Sequence, residues 1–195
     1  ETSIVRQSAG FDVNDLGFLR RADLLNWSTW TALSWRESKW IYRWAQLNAN
    51  HWMGANTSGD RYDHGMNVNG HMGLLSNWDI HLGGTFTGLS AQSCDRCTRG
   101  GPTVRNSAGI YSWGGINSDS RKPVSGGMWV NAGRADEGAT HYTSYSPYLN
   151  LRPSTRATIG LSLGYNESTD DAQWYDNIVD SGGVTVFVLQ IEQMA

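Results

Sequence analysis

Two histidines and an aspartate have the types and spacing that come closest to a metal-binding site. His71 and His81 flank a short break in a hydrophobic pattern, and Asp79 lies two residues before the second histidine. Two imidazoles on adjacent strands can share a metal ion. Two ligands alone bind a metal ion weakly. The alternative interpretation is that the two histidines line a polar surface. We predict polar lining, with no bound metal or cofactor.

The only two cysteines form a Cys-X-X-Cys motif, Cys94-Asp95-Arg96-Cys97, in a polar segment. Redox catalysis favours such a motif at the start of a helix, and structural zinc needs two further ligands. Neither context is visible around the motif. We expect a small loop disulfide or two idle thiols.

Two other motifs are incomplete. Asp12, Asn14, Gly17 and Asp23 match positions of a calcium-binding loop, but Leu16 replaces an oxygen ligand and no flanking helices are visible. The chain has five histidines but no G-x-S-x-G or comparable nucleophile context. The sequence therefore singles out no catalytic residue, and we expect the chain not to be an enzyme.

A β-hairpin positions the two histidines. Between Met66 and Phe86 the even positions are apolar or glycine and the odd positions are mostly polar, with a break at residues 75–77. Alternation at period two predicts strands with one apolar and one polar face. With a loop at 75–77, His71 lies directly opposite His81 on the polar face.

The same alternation recurs along the chain and predicts about eight to ten strands and an all-β fold. The predicted short turns are residues 36–39, 75–77, 117–123 and 152–155, and the predicted longer loops are residues 54–62, 89–102, 134–140 and 166–183. Strict alternation of short turns and longer loops is typical of an antiparallel up-and-down transmembrane β-barrel. The connections of a Greek-key sandwich are not expected to alternate in length in this way.

The composition agrees with a surface between water and an apolar phase. The chain has 10 Trp and 8 Tyr but only 4 Phe, with 17% charged residues. Trp and Tyr favour membrane interfaces, sugar-binding faces and protein interfaces. A net charge of −3 and a pI near 5.9 give no basic surface, so nucleic acid is not an expected partner. No apolar run reaches the roughly 18 residues of a membrane helix, but a mean hydropathy of −0.46 is compatible with barrel strands.

Aromatic residues lie at opposite ends of the predicted apolar faces. Trp27 and Trp35 bracket one strand, and Trp78 and Phe86 bracket another. Eight residues at about 3.3 Å each nearly match an apolar band roughly 25 Å tall with aromatic girdles. The alternative is the aromatic core of a soluble sandwich. In a barrel, the lumen-lining candidates are Asn48, Asn50, Asn67, Asn69, His71, Asp79 and His81.

The strand directions favour part of a larger barrel. If the short turns are periplasmic, the chain before Leu25 starts outside the membrane, whereas complete bacterial barrels have both termini in the periplasm. We also expect residues 192–195 to continue a strand. We expect residues 1–195 to be a single barrel domain or a barrel fragment, with 1–23 as a lead-in segment and 24–195 as strands and loops.

Six short motifs, taken in order, resemble a family of bacterial outer-membrane proteins of unassigned function. They are Asn14-Asp15-Leu16-Gly17-Phe18 with Arg21 and Asp23, Gly88-Leu89-Ser90, Arg99-Gly100-Gly101-Pro102, Asp119-Ser120-Arg121-Lys122-Pro123, Ser146-Pro147-Tyr148 with Arg152-Pro153-Ser154, and Asp170-Asp171-Ala172-Gln173-Trp174. In that family a sandwich similar to family 9 carbohydrate-binding modules precedes a C-terminal membrane β-barrel. The resemblance spans nearly the whole chain and implies no catalytic residues. This sequence departs by lacking the leading sandwich, a signal peptide and the final strands, and by carrying Cys94 and Cys97.

These observations predict a passive pore in the bacterial outer membrane, or a membrane anchor and conduit for a periplasmic glycan-binding domain. The expected partners are outer-membrane lipid and glycans. The alternative is a soluble secreted β-sandwich that binds carbohydrate through exposed Trp and Tyr. An enzyme within a barrel ranks third.

Overall fold

The computed structural model describes residues 1–12, 22–90, 92–94, 103–135 and 138–170, and the backbone alone of 173–179 and 185–190. Its strands are β1 (Thr2–Gln7), β2 (Leu24–Trp35), β3 (Tyr42–Ala55), β4 (Arg61–Leu74), β5 (Asp79–Thr87), β6 (Gln92–Cys94), β7 (Val104–Asn106), β8 (Gly109–Asn117), β9 (Val124–Ala135), β10 (Thr140–Ser154), β11 (Ala157–Ser162), β12 (Tyr165–Thr169), β13 (Gln173–Val179) and β14 (Thr185–Gln190). No helix of a length and hydropathy suited to crossing a membrane occurs in the described residues.

Ten strands form one antiparallel sheet in the order β1-β2-β3-β4-β5-β8-β9-β10-β11, with β12 also paired to β10. The short strands β6 and β7 pair with each other inside the β5–β8 connection, and β13 pairs with β14. The predicted all-β, antiparallel, up-and-down arrangement is therefore confirmed. The sheet is not closed into a barrel, because β1 forms one edge and β11 with β12 the other within the described part of the chain.

The predicted hairpin is confirmed. Strand β4 pairs with β5 so that His71 lies opposite His81, and the N–H of Leu74 donates to the carbonyl of Trp78 at 2.7 Å. Asn77 completes the turn with a φ of 61°, in the left-handed region that Asn tolerates.

The predicted rhythm of loop lengths is wrong in three places. The predicted loop 166–183 contains most of β12 and the whole of β13. The connections at residues 56–60 and 136–139 are no longer than the turn at 118–123. The ends of β3 and β9 lie inside the predicted loops, because the backbone pairs there regardless of side-chain polarity. The long connections within the large sheet are residues 8–23, between β1 and β2, and residues 88–108, which contain β6 and β7.

Two strand assignments also change. Strand β1 lies inside the predicted lead-in segment 1–23 and pairs with β2. The predicted strand 104–116 is two strands, because β7 pairs with β6 and only β8 joins the large sheet. A six-residue or three-residue strand carries too few alternations to be separated from its neighbours by pattern alone.

The large sheet has no ordinary hydrophobic core on either side. Among the described residues, Ala135 is the only buried apolar side chain, while Leu82 is 63% exposed and Leu33 is 56% exposed. The chain exposes 13553 Å², whereas a compact monomer of its mass exposes about 9,200 Å². The two remaining sheets have two strands each, which is too few for the second layer of a sandwich.

Candidate functional site

The polar face carries a continuous network of side-chain amides across β3 and β4. Asn48, only 6% exposed, accepts from Nε2 of Gln46 at 2.6 Å and donates to Oδ1 of Asn69 at 2.8 Å. Asn69 donates in turn to Oδ1 of Asn67, which also accepts from Nδ2 of Asn50 at 3.2 Å. The register explains the network, because Asn48 pairs with Asn69 and Asn50 with Asn67.

The histidine pair extends this network toward β5. Nε2 of His71 is 2.9 Å from Oδ1 of Asn69, and Nδ1 of His71 is 2.8 Å from Nδ1 of His81. An amide oxygen only accepts, so His71 donates from Nε2 to Asn69, and its Nδ1 shares a hydrogen bond with Nδ1 of His81. Both nitrogens of His71 are therefore engaged within the protein.

Indole rings flank the two histidines. His81 stacks on Trp129 with centroids 5.2 Å apart and ring planes 15° apart, and His71 lies 5.9 Å from Trp113. The two indoles are 6.0 Å from each other. This group of four rings, the ring stack, spans β4, β5, β8 and β9.

Five of the large rings on the polar face each cover a glycine on the neighbouring strand. A Cβ added to Gly83 would lie 2.4 Å from the ring of Trp113, and one added to Gly115 would lie 2.5 Å from that of Trp129. The same relation holds for Trp44 with Gly73, Trp52 with Gly65, and Tyr111 with Gly133. All five pairs are direct cross-strand partners. Glycine is needed at these positions because a ring occupies the space of its missing side chain.

Asp79 lies at the turn end of the polar face. Nη2 of Arg43 is 3.9 Å from Oδ1 of Asp79, and Nε of Arg43 donates to the carbonyl of Leu74 at 2.9 Å. Arg43 sits at a register shift between Tyr42 and Trp44, which takes it out of the regular alternation. The bulge therefore lets this cation reach Asp79.

The structure brings all seven predicted lumen-lining residues to one face, where they are buried or half-buried. Their role as the lining of a lumen stays a prediction.

The predicted girdle residues lie at the two ends of the apolar face. Trp35 and Trp78 are at the end with the 75–78 turn, and Trp27 and Phe86 are at the end with the 88–108 connection.

The remaining sequence motifs have modest roles. Cys94 is disulfide-bonded, and Cys97 lies outside the described residues. Of the calcium-loop positions, Asn14 and Gly17 lie outside the described residues, while Oδ1 of Asp23 accepts from the backbone N–H of Thr57 at 2.9 Å. Within the described ranges, no three His, Cys, Asp or Glu side chains are grouped as for a metal ion.

A turn that contains an Asp–Arg ion pair joins β8 to β9. Arg121 donates to Asp119 from Nε at 2.9 Å, from Nη2 at 2.8 Å and from its backbone N–H at 3.0 Å. These bonds, the side-chain ones first, hold the pKa of the Asp119 carboxyl well below its usual range. Asp119 raises the pKa of the Arg121 guanidinium in return.

Sequence reasoning missed a second histidine pair, which lies on the apolar face. Nε2 of His51 is 3.0 Å from Nε2 of His64, and Nδ1 of His64 is 2.7 Å from Oγ of Ser90. His51 lies two residues after Ala49 and His64 two residues before Met66, so both lie on the apolar face. The alternation predicts an apolar residue at each of these positions. That interruption was the available signal in the sequence.

Comparison with known proteins identifies the family. No curated protein and no solved structure matches the chain. A family model described as "Domain of unknown function (DUF5916)" matches residues 2–188. The chain therefore belongs to this family, whose function is unassigned.

Proposed function

We propose that the chain forms part of an outer-membrane β-barrel, with its apolar face against lipid and its polar face toward the lumen. It would act as a passive pore, or as the membrane anchor and conduit for a periplasmic glycan-binding domain. The observation that carries this proposal is the apolar face itself. It runs across successive strands of the large sheet and carries exposed apolar side chains on several of them, as at Leu33, Leu47 and Leu82.

Water is a poor solvent for such a face. Soluble monomers rarely expose contiguous apolar patches larger than a few hundred Å². The centre of this face is a shallow depression of about 620 Å³ whose lining includes Leu47, Val68, Leu82 and Val130. Lipid chains would remove these side chains from water without requiring a second protein layer.

The aromatic residues support the same arrangement. Trp78 and Phe86 lie four residues on either side of Leu82, and Trp27 and Trp35 lie four residues on either side of Thr31. Leu82 and Thr31 therefore lie midway between two aromatic belts, as at the centre of a bilayer.

The polar face has the properties expected of a lumen. Its amides bond to one another, and no buried side-chain polar atom in the described residues lacks a partner. The rings that cover glycines lie close against the neighbouring strands, as Trp113 does at Gly83.

A matched pair of lysine substitutions tests the proposal. Leu82→Lys places a charge at the midpoint of the apolar face and is expected to destabilise the chain in lipid by about 2–4 kcal/mol. Ser146→Lys places the same charge at an exposed position on the polar face, opposite Trp129, and is expected to change stability by about 0.5 kcal/mol or less. Urea titration of both variants in liposomes measures the difference.

Equal stability of the two variants would refute a lipid-facing apolar surface, as would a stable monomer of the parent chain in detergent-free buffer. Ion conductance across a planar bilayer then separates the two forms of the proposal. A conducting chain is a pore, and an inserted chain without conductance is an anchor.

One observation favours carbohydrate contact as a second candidate function. A depression of about 470 Å³ on the polar face is lined by Trp30, Trp52, Asn50 and Asn67, among others, and Trp30 is 43% exposed. Indole faces beside amides suit the apolar faces and hydroxyls of sugars. Oligosaccharides should then quench Trp fluorescence, and Trp30→Ala should remove the quenching while Trp78→Ala, on the turn before β5, should not. Quenching that survives Trp30→Ala would exclude this depression.

A further inference from the structure

A serine and two histidines form a hydrogen-bonded triad at the end of the apolar face where the 88–108 connection meets the sheet. Oγ of Ser90 is 2.7 Å from Nδ1 of His64, and Nε2 of His64 is 3.0 Å from Nε2 of His51. His64 pairs with Met53 and His51 pairs with Met66, which places both imidazoles among apolar side chains. Ionisable residues on a lipid-facing surface are costly and usually mark a function.

The surrounding residues hold the serine and the two histidines in place. The ring of Trp27 packs edge-on against His51 with centroids 4.9 Å apart. The carbonyl of His64 accepts from the backbone N–H of Leu89 at 3.3 Å and from Nε2 of the buried Gln92 at 3.3 Å. The segment that carries Ser90 is therefore bonded on both sides to the residue that carries the neighbouring imidazole.

We propose that Ser90 is a nucleophile and His64 its general base, with His51 as a positioning residue, and that together they cleave carboxylic esters of membrane lipids. The geometry meets the general requirement for an activated serine: a base within hydrogen-bond reach, itself oriented by a third group. In the productive tautomer Ser90 donates to Nδ1 of His64, and His64 donates from Nε2 to His51. His51 thereby fixes which nitrogen of His64 is free to take a proton.

The reaction balances with water as the only co-reactant. Oγ of Ser90 bonds to the ester carbonyl carbon as its proton passes to Nδ1 of His64. The bond from that carbon to the alcohol oxygen breaks, and the alcohol leaves with the proton from His64. Water then attacks the acyl-serine, giving its proton to His64 and releasing the carboxylic acid, and Ser90 recovers its proton.

The lipid class of the ester follows from the position of the site and rests on the proposed lipid-facing sheet. Residues 86–89, which lead directly into Ser90, line a cavity of about 570 Å³ together with Ile110 and Arg134. Phe86, Leu89 and Ile110 offer apolar walls to an acyl chain. Arg134 offers a cation to a phosphate or carboxylate of the same molecule.

Labelling of the full chain in detergent micelles with a fluorophosphonate probe tests the nucleophile. The probe bonds covalently to activated serines, so peptide mass spectrometry should locate it on Ser90. Ser90→Ala should abolish labelling. Ser112→Ala is the matched control, because Ser112 is an exposed serine in β8 whose hydroxyl donates to the carbonyl of Ala132, and it should label as the parent chain does.

Substitutions of the histidines test their separate roles. His64→Gln should slow labelling by about 100-fold or more, the usual contribution of a general base. His51→Phe should slow labelling and shift its pH dependence, and His51→Gln, which keeps a hydrogen-bond acceptor, should restore the parent pH profile. Circular dichroism must show each variant folded. No labelling of the folded parent, labelling at another serine, or labelling of Ser90 that His64→Gln leaves unchanged would each overturn the proposal.

Two ester substrates separate this inference from the proposed membrane function. Release of fatty acid from phosphatidylethanolamine in mixed micelles, lost in Ser90→Ala, is the expected result. Hydrolysis of p-nitrophenyl acetate without phospholipid cleavage would overturn the lipid class alone. A chain that is monomeric without detergent but still labels at Ser90 would instead overturn the barrel proposal and leave the nucleophile standing.

Discussion

Gly83 and Gly84 are adjacent in β5 but face opposite sides of the sheet, so the same substitution should have opposite effects at the two positions. A Cβ at Gly83 would lie 2.4 Å from Cε2 and 2.5 Å from Cζ2 of Trp113. A Cβ at Gly84 would have the carbonyl oxygen of Tyr111, 3.9 Å away, as its nearest neighbour. We predict that Gly83→Ala destabilises the chain and that Gly84→Ala stabilises it.

The size of the difference follows from the contacts. Ordinary contact begins at 3.4 Å, so Trp113 must retreat by about 1 Å from the alanine at position 83. His71 and Trp129 flank that ring and oppose its movement. Replacing glycine by alanine in an extended strand stabilises by about 0.4–1 kcal/mol through the unfolded chain at either position. Because that contribution is common to both variants, their difference isolates the overpacking cost of about 1–3 kcal/mol.

Equilibrium urea unfolding, followed by circular dichroism in the solvent in which the parent chain is folded, measures both variants. A double-mutant cycle adds a second check, since in a Trp113→Leu background Gly83→Ala should lose most of its penalty. Stabilities of Gly83→Ala and Gly84→Ala within about 0.5 kcal/mol of each other would refute the placement of Trp113 over Gly83.

Two further substitutions test the polar groups. Because Arg121 depresses the pKa of Asp119, the carboxylate stabilises the folded chain fully above pH about 4, and this contribution is lost as the pH falls through the lower folded-state value. Asp119→Asn should therefore lower the urea midpoint at neutral pH and flatten its decline in acid, and an unchanged acid decline would contradict this. Asn69→Leu leaves Asn48 and His71 without their common acceptor and should cost about 1–3 kcal/mol, whereas Val68→Ala, on the other face, should cost less.

The parts of the fold that were predictable are those encoded within about twenty consecutive residues. The hairpin from Met66 to Phe86 has an uninterrupted period of two and a turn with Asn77, so its register and the facing of His71 and His81 follow from counting. The connections were less predictable. Backbone pairing does not depend on side-chain polarity, so the polar start of β4 at residues 61–62 falls within the predicted loop 54–62.

The glycine–ring pairs could not be predicted from the sequence. Gly83 and Trp113 are neighbours only because β5 pairs with β8, across a connection that itself folds into β6 and β7. Glycine fits either face of an alternating strand. The alternation therefore does not distinguish Gly83, which lies under the ring of Trp113, from Gly84, where a side chain would have space. The polar-face rings thus depend on long-range register that the pattern of one strand does not contain.

The two histidine pairs show that the face of the sheet sets what the same side chain can do. On the polar face, the nitrogens of His71 are engaged by Asn69 and His81, so that ring has no free lone pair for a substrate. On the apolar face, the nitrogens of His64 connect His51 to the hydroxyl of Ser90, the group that we propose as the nucleophile. His71→Ala should accordingly leave fluorophosphonate labelling unchanged, while His64→Gln should suppress it. Equal loss in both variants would mean that labelling reports the integrity of the sheet and not the chemistry of Ser90.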